Sequence, residues 1–170
     1  DRPNQFNDRR LVIEFRNGQP VVIGNWEATT EPGAHYTYRP MNRKGAARIK
    51  FGQYKAWRVG YHGASDRHEA LVQVGTLSVH RDFNKDMART GDRIDTNNNF
   101  MINQHWGYDY PRNNIKYASA GCLVGRTRQG HKEFMAMIKK DPRYKLNPSY
   151  MLETTVNAGD HFHKHFPPVG

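Results

Sequence analysis

"RLVIEFRNGQPVVIGNW", residues 10–26, decides how the rest of the chain is read. Two runs rich in Val and Ile flank Asn17-Gly18. Both turn residues tolerate positive φ, which a two-residue hairpin requires, so Asn-Gly between such runs is the strongest short-range hairpin signal. A chain that starts this way predicts sheet, and later segments agree. "FGQYKAWRVGYH" (51–62) reads as a strand on which Phe51, Gln53, Lys55 and Trp57 alternate against Gly52, Tyr54, Ala56 and Arg58. "ALVQVGTLSVHR" (70–81) reads as one long strand or two, bent at Gly75. "FMINQHW" (100–106) is a short strand. "SYMLETTVN" (149–157) is the last, with Tyr150, Leu152, Thr154 and Val156 on one side. Residues 27–48, 82–99 and 107–121 are rich in turn formers and read as loops. The best helix is "GHKEFMAMIKKD" (130–141). Phe134, Met135 and Ile138 share a face there, Lys139 and Lys140 sit at the end where cations are favoured, and Asp141-Pro142 stops it. No internal repeat or linker divides the chain. The expected fold is mainly β, a β-rich α+β domain over residues 1–160 with a tail at 161–170.

The chain has 170 residues, enough for one domain with a real core. Aromatics make up 12%, more than a disordered chain carries, so the low apolar share of 36% implies long polar loops on a folded domain. Lys and Arg outnumber Asp and Glu by 26 to 16, a formal charge of +10, which points to an anionic partner: nucleic acid, a membrane surface or an anionic wall polymer. No apolar run approaches the ~20 residues that span a bilayer. No signal segment is read within these residues. The chain opens on Asp1 and not Met, so nothing about export follows.

Cys122 is the single cysteine, which excludes an internal disulfide. It lies in "KYASAGCLVGRTRQGH" (116–131), after Ser119-Ala120-Gly121. A lone Cys among small and aliphatic residues is, in general, more often a buried small hydrophobe than a nucleophile. A nucleophile needs a base, backbone N–H groups for an oxyanion, and access. Small residues with a Gly can supply the N–H groups. His105, at the end of "FMINQH", is the nearest candidate base. From these residues alone, the buried thiol and the nucleophile both stand.

His105, its spacer and "SAGCLV" (119–124) resemble the signature of the L,D-transpeptidase catalytic domain, the YkuD-like family. That signature is a His, a spacer of similar length, then Ser/Thr-His-Gly-Cys with Arg or Asn soon after. The opening hairpin and "FGQYKAW" resemble the family's first hairpin and its later Gly-x-Phe/Tyr segment. Two positions depart. Ala120 stands where the family usually has a second His, and Arg126 follows Cys122 at a longer interval than the common Cys-x-Arg. The resemblance implies a sandwich of sheets with one substantial helix after the Cys-bearing turn. It implies that His105 takes the proton of Cys122, and that the thiolate attacks an L,D peptide bond in a peptidoglycan stem. The N–H groups of Ala120, Gly121 and Cys122 then hold the oxyanion, and the thioester passes to an amine or to water. Arg126, Trp106, Tyr108 and Tyr54 become the expected substrate-binding residues. Neither cofactor nor metal is implied. The expected partners are stem peptides and the anionic cell wall, met by a monomer in the periplasm, outside the cell, or as a phage lytic protein.

Two other classes compete. His161, His163 and His165 alternate in the tail, and with His62, Asp66, His68, His80 and Asp82 they could serve a metal-dependent wall peptidase, although no zinc signature such as H-E-x-x-H is present. "YTYRPMNRKGAARIKFGQYKAWR" (36–58) interleaves aromatic and basic residues as a nucleic-acid-binding module would, without a recognised nucleic-acid signature. Nucleic acid is the less favoured partner.

Overall fold

The structure, a computed structural model, describes residues 2–89 and 91–159. Asp8–Arg16 (β1) and Gln19–Thr29 (β2) form the expected hairpin. Asn17 and Gly18 take φ of 52° and 79°, so both turn residues use the left-handed region for which their small or absent side chains suit them. Ala34–Tyr38 (α1), Ala46–Ile49 (β3), Gly52–His62 (β4), His68–Gln73 (β5), Leu77–Asp82 (β6), Arg93–Asn97 (β7), Gln104–Trp106 (β8) and Leu123–Gly125 (β9) follow. Arg128–Ile138 (α2), Pro142–Leu146 (α3) and Leu152–Val156 (β10) complete the described chain. With 40% strand and 14% helix, this is a β-rich α+β fold.

The strands build a seven-stranded sheet, β1-β2-β9-β8-β5-β4-β10, and a three-stranded sheet, β3-β6-β7. All described pairs are antiparallel except β8 with β9. A parallel neighbour needs a long crossover, and residues 107–122 supply it. One apolar cluster draws on both sheets and on α2: Ile49, Trp57, Leu71, Val79, Leu123, Phe134 and Leu152 are among its members. Among the described residues, no helix is long and apolar enough to cross a membrane.

The helix starts two residues earlier than its periodicity suggested, because the Thr127 hydroxyl accepts from the Gly130 N–H and caps it. Asp141-Pro142 ends that run and begins α3, with Asp141 as cap and Pro142 in the first turn. β4 departs from strict alternation. Leu152 faces Trp57, while Glu153 faces Lys55, so Ala56 is an extra residue in the ladder. The bulge turns Trp57 inward beside Ala56, and both are fully buried. Trp57 Nε1 donates to the Ile102 carbonyl at 2.8 Å.

A buried ion network ties the smaller sheet to the loop after β2. Arg48 on β3 is 1% exposed. Its Nε and Nη2 donate to Asp82 Oδ2 at 3.0 and 2.8 Å, its Nη1 to Glu31, and its Nη2 also to Thr37 at 3.2 Å. Arg89 pairs with Glu31 as well.

Candidate functional site

β8 and β9 run side by side with Gln104 next to Leu123, His105 next to Val124, and Trp106 next to Gly125. The Leu123 N–H donates to the Asn103 carbonyl at 2.9 Å, which carries the ladder one step further back. Side chains alternate along a strand. Cys122, two residues before Val124, therefore projects from the face that His105 occupies. Cys122, Tyr108 and Tyr110 all pack against the buried cluster that includes Val124, and the Tyr108 ring lies 6.1 Å from that of His105.

The thiol is half-buried and neutral. Burial pushes its pKa up to about 11, against a smaller opposing pull from the Asn103 backbone. Its hydrogen bond goes to the Met101 carbonyl at 3.6 Å, and among the described residues none joins it to His105. The resting pair is thus thiol and imidazole, not thiolate and imidazolium. Alkylation of Cys122 by iodoacetamide is expected to quicken ~10-fold per pH unit from pH 7 to 10, because only the thiolate reacts. A rate already flat at pH 7 would mean a preformed thiolate and overturn this resting state.

His105 is held firmly. It is 2% exposed, and burial, with His62 second, keeps its pKa well below the usual histidine range. Its Nδ1 lies 2.7 Å from the Trp106 carbonyl, which can only accept. Nδ1 therefore carries the proton, and Nε2 offers the lone pair of a general base. His62 stacks on the ring, with centroids 3.9 Å apart and planes 8° from parallel. Asn103 fixes His62 in turn. The Asn103 amide oxygen accepts from the Gln73 N–H at 2.9 Å, so its NH₂ is the group that meets His62 Nδ1 at 3.0 Å. The carbonyl of Trp106 and the His62–Asn103 pair are the orienting groups.

The turn before Cys122 has a defined donor pattern. Ser119 Oγ donates to the Cys122 carbonyl at 2.9 Å and accepts from the Gly121 N–H at 3.1 Å. Gly121 is thereby occupied, while the N–H groups of Ala120 and Cys122 meet no protein acceptor among the described residues. Gly121 has a φ of 137°, and a Cβ there would stand 2.8 Å from the Ala47 carbonyl oxygen, so only glycine fits.

A shallow groove of about 280 Å³ opens beside this face, lined by Tyr108, Tyr110, Tyr117, Asp66 and the loop 63–65. Arg128 pairs with the lining residue Asp66 at 3.1 Å and with Asp109 at 3.0 Å, and lies over the Trp106 and Tyr108 rings. The other expected substrate residues fall differently. Arg126 is paired with Glu27, which Arg112 also reaches. Trp106 is 8% exposed and stacked under His68. Tyr54 donates to the Lys50 carbonyl and packs edge-on against Trp57, apart from the Cys122 face.

The competing classes find less material. Among the described residues, no three His, Cys, Asp or Glu side chains come together to hold a metal ion. His161, His163 and His165 lie outside the described residues. In the basic segment, Arg48 is buried with Glu31 and Asp82, Lys44 pairs with Asp95, and Lys55 lies over Tyr150.

Compared with protein-family models, curated proteins and solved structures, the chain matches none.

Proposed function

We propose that this chain is a cysteine-dependent acyl-transfer enzyme of the L,D-transpeptidase kind, acting on peptidoglycan stem peptides at the cell-wall side of a bacterium or as a phage lytic protein. The observation that carries the reading is the common face of Cys122 and His105 beside an open groove, with two unengaged N–H groups at the same turn. The proton of Cys122 Sγ passes to His105 Nε2 as sulfur attacks the carbonyl carbon. The carbonyl oxygen becomes an oxyanion and accepts from the Ala120 and Cys122 N–H groups. Collapse breaks the C–N bond, and the leaving amine takes the proton from Nε2. An amine or water then attacks the thioester, gives its proton to His105, and the proton returns to sulfur as the acyl group leaves. The groove suits a stem peptide: the rings of Tyr108, Tyr110 and Tyr117 form its walls, and the Asp66 carboxylate lines it where an ammonium group would sit.

Incubation with sacculi or purified muropeptides, read by mass spectrometry, tests this. New L,D-linked dimers identify a transpeptidase, and shortened stems or split cross-links a hydrolase. Cys122→Ala is expected to yield no product, and His105→Gln to slow the reaction ~10²-fold or more. Identical products from wild type and Cys122→Ala, or none from either, would overturn the proposal.

A further inference from the structure

β1 ends the seven-stranded sheet, and among the described residues no strand covers its outer edge. Natural edges are usually short, or are protected by proline, charge or a bulge, and the β1–β2 ladder does slip between Val12 and Ile13. β1 runs nine residues without proline. It exposes Ile13 and Phe15 at 47% and 73%, with Val22, opposite Ile13, at 53%. The strand does carry charge, and the order of that charge is informative.

We infer that β1 pairs antiparallel with β1 of a second copy, about a two-fold axis at Val12. In "DRRLVIEFR" this register sets Asp8 against Arg16, Arg9 against Phe15, Arg10 against Glu14, Leu11 against Ile13, and Val12 against itself. Directly opposed residues share a face. Asp8 therefore meets Arg16 at the ends, the Arg9 guanidinium meets the Phe15 ring, and the apolar residues meet at the centre. Shifting the axis to Leu11 would oppose Asp8 and Glu14. Shifting it to Ile13 would oppose Arg10 and Arg16. Of these three registers, the one at Val12 alone opposes no like charges. The groups are available for it. Asp8 accepts from the Thr30 N–H and hydroxyl through Oδ2 and lies in the field of Arg89. Among the described residues Glu14 and Arg16 pair with each other, and both are exposed. Arg10 is buried against His131 and the Leu123 carbonyl, so it contributes its field and not a contact.

Light scattering or sedimentation at ~10 and ~100 µM tests this. The mass of two chains is expected at the higher concentration. Ile13→Lys, on a residue the monomer leaves exposed, is expected to weaken association at least ~10-fold with an unchanged circular dichroism spectrum. On mild oxidation V12C is expected to form a disulfide between the two copies, located by peptide mass spectrometry, while L11C, which faces Ile13, does not. A single-chain mass at both concentrations overturns the inference. So does a dimer indifferent to Ile13→Lys, or one that links through L11C as readily as through V12C.

Discussion

Lowering the pH from 7.5 to 4.5 is expected to remove about 3 kcal/mol of folding stability through His131 alone. His131 is 2% exposed, and its two ring nitrogens are already committed. Nε2 must donate to the Glu69 carbonyl at 2.9 Å, because a carbonyl only accepts. Nδ1 is then the acceptor for the Arg10 guanidinium at 3.1 Å. A second proton would have to displace Arg10. Burial first, and Arg10 second, depress the pKa to about 3. The unfolded chain takes up that proton near pH 6.5 and the folded chain does not. Stability is therefore complete above pH ~6.5 and declines as pH falls, by ~1.4 kcal/mol per unit for this site. His62, His68 and His105 are depressed by burial as well and act in the same direction. Urea unfolding at several pH values measures the slope. His131→Gln offers an acceptor to Arg10 and a donor to Glu69 without titrating, so it should flatten the slope. An unchanged slope in that variant would sink the assignment.

Arg48→Ala is expected to cost about 3–5 kcal/mol, among the largest single losses available. It leaves Glu31 and Asp82, at 2% and 0% exposure, short of their shared cation. Asp82 keeps the N–H groups of Asp86 and Met87, and Glu31 keeps Arg89, so the fold survives weakened. Arg48→Met restores the volume but not the charge and should recover little. Arg16→Ala, which breaks the exposed pair with Glu14, should cost less than ~1 kcal/mol. Denaturant midpoints for the three variants order these effects. Equal losses for Arg48→Ala and Arg16→Ala would contradict the buried network.

Much of this was legible in the sequence, and the gaps have physical causes. The hairpin, the strand at 52–62, the break near Gly75, the main helix and the last strand each carry a local signal: an Asn-Gly turn, a period or a stop. β9 is Leu123–Gly125, too short for any period to register. β7, Arg93–Asn97, is polar because its side chains are largely exposed, so it reads as loop. β3 sits inside a turn-rich stretch, although its four residues are all buried. Trp57 was misplaced because a bulge depends on the partner strand. At the candidate site, Cys122, His105, Ser119 and Gly121 announce themselves by residue type and order. His62, Asn103 and Arg128 do not, since pairing and stacking across distant segments bring them in. Arg126 is the instructive case: a cation close in sequence, taken up by Glu27 from another strand.

The place of β9 in the sheet has a consequence for synthesis. Its three residues lie between β2 near the start of the chain and β8 far along it. As the chain emerges from its N-terminus, β2 waits with one open edge and β8 with another until residue 125 appears. The strand that follows the thiol is thus the last piece that joins the two halves of the sheet. Ribosome-bound or truncated chains ending before it should expose both edges and draw chaperones or aggregate. Chains that extend beyond it should close the sheet and set Cys122 on the face of His105 in the same event.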